Sequence, residues 1–146
     1  MNIAVPLDKN LVLYHNNPYT APKFAIYSVK GDKTNISFHE TTIVDNPRYA
    51  QKCKLSEATQ VQCACNEKEK KDFQHICEHY ALLEVIGNCR YLLADKYCEN
   101  TIHTLRNGGI IVFRIPTIIK DTHTAIKNFL IGASLANRVQ NIHYAS

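Results

Sequence analysis

Residues 63–79 read CACNEKEKKDFQHICEH, three cysteines and two histidines within seventeen positions. Thiolate and imidazole are the donors taken by iron–sulfur clusters, zinc and copper(I). Cys63 and Cys65 form a C-x-C pair, a spacing that serves one ion or two neighbouring irons. Ten residues later His75 and Cys77 add an imidazole and a third thiol, and the charged run between is long enough to fold back on itself. Cys63, Cys65, His75 and Cys77 are therefore the candidate metal ligands. Cys53, upstream in YAQKCKLSE, is a further donor or an incidental loop thiol.

Helical geometry limits this set. If 73–86 is all helix, His75 and His79 share a face and Cys77 lies about 160–200° away, so one ion cannot take all three. If the helix starts only near Cys77, that thiol sits in a first turn, where the dipole favours thiolate, and His75 is free in the loop. The competing reading makes Cys77 a core thiol beside an apolar stripe and leaves His75 and His79 as surface residues.

Other constellations carry less. Cys98 lies past the carboxyl end of an expected parallel strand and opens a helix, the place where open α/β sheets put ligands; a functional and a structural role balance there. Cys89 precedes an apolar strand and reads as core. Asp8, Asp45, Asp95 and Glu99 are too thin a set for two-metal nuclease chemistry, and no carboxylate interrupts NIAVP. Ser134 lies in no G-x-S-x-G, and no C-x-x-C or phosphate-cradling glycine loop is present. His103, His123 and His143 stand alone.

The elements that must position these groups follow from periodicity. Asn2–Leu7 is a short apolar run that reads as a buried strand. A long Asn- and Pro-rich connection leads to strands over 23–29 and 34–44, joined by the turn KGDK with Gly31 available for positive φ. Residues 48–74 form a Cys-containing insertion without periodicity. A helix follows, with Phe73, Ile76, Tyr80 and Leu83 on its apolar face and Gly87 at its end. Strand 89–94, helix 99–107, strand 109–115 and a last helix capped by Asp121 or Thr122 complete a βαβα tail, which implies parallel pairing. The chain thus reads as one α/β domain over 1–146, with an N-terminal antiparallel hairpin and a C-terminal parallel half sharing a mixed sheet.

Totals bound the function. Seventeen Lys and Arg against thirteen Asp and Glu leave a formal +4, scattered along the chain. That is not the one-sided basic face of a nucleic-acid binder. No window approaches the roughly 18 apolar residues of a membrane span, and no signal peptide is evident, so the expected location is the cytoplasm. Six cysteines in that compartment are expected to be reduced thiols.

The order and wording of NIAVPLD, TAPKFAIYSV, Asn46-Pro47, CRYLLADKYCENTIHTLRNGGIIVFRI and TAIKNFLIGASL resemble the dinitrogenase iron–molybdenum cofactor biosynthesis family. The resemblance implies a ribonuclease-H-like fold with a five-stranded mixed sheet. It also implies a non-catalytic carrier of an iron–sulfur or molybdenum–iron–sulfur cluster, with a donor or acceptor protein as partner. The loops after the first and fourth strands would wall the cofactor, which places His15, Asn17, Asp95 and Cys98 around it. Zinc as a structural clip is the alternative metal. A protein-interaction module that has kept this fold and lost the cofactor is the alternative function.

Overall fold

Strand β1 (Asn2–Leu7) is apolar at nearly every position because it is covered on both faces. Ile3, Val5 and Leu7 enter one core cluster and Ala4 enters the other, as the two-residue period of a strand requires. The computed structural model describes residues 1–31, 35–47 and 73–145. Within them β2 (Lys23–Gly31), β3 (Ile36–Asp45), α1 (Phe73–Tyr80), α2 (Leu82–Ile86), β4 (Tyr91–Ala94), α3 (Glu99–Asn107), β5 (Ile111–Arg114) and α4 (Thr122–Ala145) follow in order.

The five-stranded sheet has the order β3-β2-β1-β4-β5. β2 pairs antiparallel with both β1 and β3, whereas β4 lies parallel to β1 and to β5. This is the mixed sheet expected from a hairpin followed by βαβα. Gly31 ends β2 at φ 126°, the positive value foreseen for the turn. Between Ile26 and Tyr27 the register with β3 slips by one, leaving Thr41 as an extra residue whose hydroxyl donates to the Ile26 carbonyl at 3.0 Å.

The sheet has a core on each face. On one side α4 lays Ala125, Ile126 and Phe129 over Ile3, Val5, Tyr27 and Leu93. Phe129 meets Phe113 edge-on at 5.0 Å and Tyr91 at 4.7 Å between ring centres. Asp121 caps α4 by accepting from the Thr124 amide at 2.8 Å, one of the two caps foreseen. On the other side Leu82, Ile86 and Leu105 cover Ala4, Phe24, Ile26 and Leu92.

The expected single helix to Gly87 is instead two, broken at Ala81. There Ala81 N bonds the Glu78 carbonyl and Glu84 N the Ala81 carbonyl, three-residue bonds that tighten the turn. The buried face also differs from the expected one. Tyr80 is exposed and Leu83 only half-buried, while His79, Leu82 and Ile86 point inward. Their three- and four-residue spacing is as helical as the expected stripe, but it includes a histidine, so a hydrophobic pattern does not reveal it. Strands β4 and β5 are each shorter than expected, and α4 runs on through Gly132 to Ala145.

Candidate functional site

Because β1 and β4 are parallel neighbours, the chain leaves both at the same edge of the sheet. The connection after β1 is built by its own side chains. Asp8 Oδ1 accepts from the amides of Asn10 at 2.8 Å and Val12 at 3.0 Å, so this carboxylate is a turn residue. Leu13 bridges back to Leu7, and Asn17 then caps a single 3-10 turn, Pro18–Thr20, by accepting from Tyr19 N. Asn46 secures the far side, donating from Nδ2 to the carbonyls of Tyr19 and Ala21, both at 2.9 Å.

The residues after β4 meet this connection at two places. At the first, His15 Nδ1 lies 3.0 Å from Asp95 Oδ2, and Thr117 Oγ1 donates to Asp95 Oδ1 at 2.9 Å. Asp95 is 2% exposed. Burial raises its pKa, but the hydrogen bonds from His15 and Thr117, with the nearby charges of His15 and Lys96, outweigh it and hold the carboxyl below its ordinary value. An ionised carboxylate only accepts, so His15 donates from Nδ1; in the neutral form of the ring the lone pair is then on Nε2. That Nε2 is shielded from solvent and has no hydrogen-bond partner among the described residues.

At the second place, Cys98 stands at the N-cap of α3 in extended conformation. Its Sγ lies 3.5 Å from His79 Nε2 and 3.1 Å from Thr101 Oγ1. Thr101 donates its one hydroxyl proton to Asn17 Oδ1 at 3.0 Å. His79 is 0% exposed and stacks on Tyr19, ring centres 3.7 Å apart and planes 13° from parallel. Tyr19 in turn donates its hydroxyl to Glu78 Oε2 at 3.0 Å. Cys98 itself is 8% exposed.

The four cofactor residues expected around the sheet edge are thus joined in pairs, His15 with Asp95 and Asn17 through Thr101 with Cys98. The four expected metal ligands are not assembled by the described residues. Cys63 and Cys65 lie outside them, as does Cys53. His75 and Cys77 both fall in α1, so the helix does not begin at Cys77, and His75 is not in a loop. Two positions apart on a helix, residues 75 and 77 are about 200° apart around the axis. Cys77 is exposed, which removes it from the core position considered for it. Cys89 is buried as expected, and burial pushes its thiol up to about 11. Among the described residues, no three His, Cys, Asp or Glu side chains converge on a point that could hold an ion.

Sequence reasoning missed His79, Thr101 and Thr117. Nothing in composition marks a buried histidine. The one available signal was the second helical stripe through 79, 82 and 86, which a pattern search that admitted histidine would have found.

Among the described residues no helix is long and apolar enough to cross a membrane. No family model matches this chain. No curated protein matches it either. The chain is similar to a solved structure, the crystal structure of PH0822, with a TM-score of 0.51 over 91% of this chain and 92% of that one. At 12% identity the likeness is one of fold.

Proposed function

We propose that this protein is a small, non-catalytic carrier of a soft metal ion or an iron–sulfur cluster, loaded at the sheet edge between the ends of β1 and β4. The observation that carries this reading is the Cys98–His79 pair. Two ligands of one tetrahedral ion, with bonds of about 2.3 Å to sulfur and 2.05 Å to nitrogen, stand roughly 3.6 Å apart. The Sγ–Nε2 separation is 3.5 Å. The thiol lies at a helix N-terminus, which favours the thiolate that metals take. His15, in the connection after β1, is a second imidazole at the same end of the sheet, its ring oriented by a carboxylate as metal-binding histidines usually are.

Two donors do not complete a coordination sphere. In this reading Cys63 and Cys65 supply the remaining thiolates. A cluster spanning several ångströms, rather than one ion, suits donors that do not converge on a point. The strand order β3-β2-β1-β4-β5, with β2 antiparallel, supports a ribonuclease-H-like assignment. It agrees with the resemblance to the dinitrogenase iron–molybdenum cofactor biosynthesis family. A donor or acceptor protein would load and unload the cargo.

The test is anaerobic reconstitution with iron and sulfide, followed by visible absorbance and metal analysis. Wild type, Cys98→Ala and the double variant Cys63→Ala/Cys65→Ala are compared. Stoichiometric iron with a visible band, lost in both variants, is the expected result. Absence of both from wild type overturns the carrier and leaves an interaction module. Zinc alone, with unfolding on chelation, makes the site a structural clip.

A further inference from the structure

We propose that the outer edge of β5, with the groove between it and α3, takes up an extended segment of another protein that reads acidic–x–aliphatic–x–acidic and adds it to the sheet as a further strand. None of the residues involved is a ligand of the proposed metal site. In the parallel ladder with β4, Ile111 N and Ile115 N turn inward and donate to the carbonyls of Arg90 and Ala94, both at 2.9 Å. By the two-residue period the N–H and C=O groups of Val112 and Arg114 turn outward, and β5 is the last strand of the sheet. Among the described residues nothing pairs with them. Unlike β3, β5 keeps its register with its neighbour from Ile111 to Arg114, so these groups lie in one line for an added strand to bond.

The groove beside this edge supplies selectivity. It has a volume of about 90 Å³ and is lined by Ile102 and Arg106 of α3 and by Ile110, Ile111 and Val112. That is smaller than the roughly 150 Å³ that admits benzene, so it suits one aliphatic side chain. Ile110 N bonds the Leu105 carbonyl at 2.8 Å, which sets Arg106 beside the start of β5. Arg114 closes β5 on the face that it shares with Val112. The two arginines therefore stand at opposite ends of the groove, and the four steps from Ile110 to Arg114 span about 13 Å. Both are exposed, and neither is in an ion pair among the described residues. Glu99, in the first turn of α3, offsets one of these charges and leaves the groove net positive.

An added strand has the same rise, so its residues i, i+2 and i+4 face α3 together. The middle one meets the apolar wall, and the outer two are level with Arg106 and Arg114. Charge complementarity makes the outer two acidic. The pattern reads the same in both directions, so a parallel and an antiparallel strand fit alike. No stretch of this chain has an Asp or Glu on both sides of a Val, Ile, Leu or Met at this spacing. The occupant is therefore a different protein, not a second copy.

The test titrates the full nitrogen-15-labelled chain with a short blocked peptide centred on Glu-Thr-Val-Thr-Glu. We expect saturable shifts of the Val112 and Arg114 amides. A peptide centred on Glu-Thr-Asn-Thr-Glu should bind at least tenfold more weakly, and one centred on Lys-Thr-Val-Thr-Lys at least as weakly as that. The double variant Arg106→Glu/Arg114→Glu, changed at two exposed positions, should lose at least tenfold for the acidic peptide and gain affinity for the lysine peptide. If the double variant does not fold, the three peptides on wild type decide. No shift in β5 at about 5 mM peptide, which corresponds to less than about 4 kcal/mol of binding, overturns the proposal. Equal binding of the acidic and lysine peptides overturns it too, as does an unchanged affinity in the folded double variant. Shifts of the same amides on diluting the protein alone would make the occupant a second copy and equally overturn it. All of these readouts are taken on metal-free protein, so their failure is separate from failure of the carrier.

Discussion

Replacing Asp95 by asparagine tests the geometry at the sheet edge most directly. The carboxylate accepts from both His15 Nδ1 and Thr117 Oγ1. In Asp95→Asn the carbonyl can still accept from Thr117, but the amide now turns an N–H towards His15 Nδ1. Nδ1 must then accept, and the ring proton moves to Nε2. A hydrogen bond to a charged group contributes about 1.5–3 kcal/mol. Relief from holding a buried charge offsets part of that loss, leaving a net destabilisation of about 1–2 kcal/mol. For 146 residues, an unfolding entropy of about 2.1 cal/mol/K per residue makes this a fall in Tm of roughly 3–6 °C.

The pH dependence has a defined sign. The folded pKa of Asp95 is below its unfolded value, so its stabilising contribution is complete above the unfolded carboxylate pKa, about 3.9, and is lost as pH falls through the folded value. The gap between wild type and variant should therefore shrink on acidification below about 4. Urea titrations at several pH values measure the gap, and nitrogen-15 NMR of the histidine rings reads the tautomer. An unchanged His15 tautomer in Asp95→Asn, or a stability gap that grows as pH falls below about 4, would refute the reasoning.

Two further outcomes follow from packing and backbone. Phe129→Ala removes a buried ring held between Tyr91 and Phe113 and should cost about 3–5 kcal/mol in urea unfolding. Gly31 and Gly109 both have positive φ, 126° and 81°, yet a Cβ at Gly31 would lie 2.0 Å from the Asn35 carbonyl oxygen, whereas one at Gly109 meets nothing within 4 Å. Gly109→Ala should cost only the left-handed strain, about 1–2 kcal/mol, and Gly31→Ala distinctly more, an order that thermal melts of the two variants check.

The sheet was legible because its pattern is local. An apolar run at β1, an aromatic hairpin at β2 and β3, and alternating strand and helix after residue 89 each announce themselves within a dozen residues. The meeting of His15 and Asn17 with the residues after β4 at the sheet edge was legible only through resemblance. His15 and Asp95 are eighty positions apart, and no periodicity links them. His79 escaped because burial was read from hydrophobicity, and a histidine stacked on a tyrosine is buried by a ring contact instead. Cys77 drew attention by its neighbours in sequence, but it lies half a helical turn from the face that α1 buries. The thiol that does meet an imidazole, Cys98, was noticed for its place after a parallel strand, and its partner was not.

The extra residue at Thr41 bears on how this protein meets copies of itself. β3 is an outer strand ten residues long, with most of its side chains exposed, and a straight ribbon of that length offers unpaired amides to any extended chain. Halfway along, the slip in register bends the ribbon and breaks the even spacing of those amides. Edge-to-edge growth would have to start from two short stretches instead of one long one, a built-in guard against fibrous self-association.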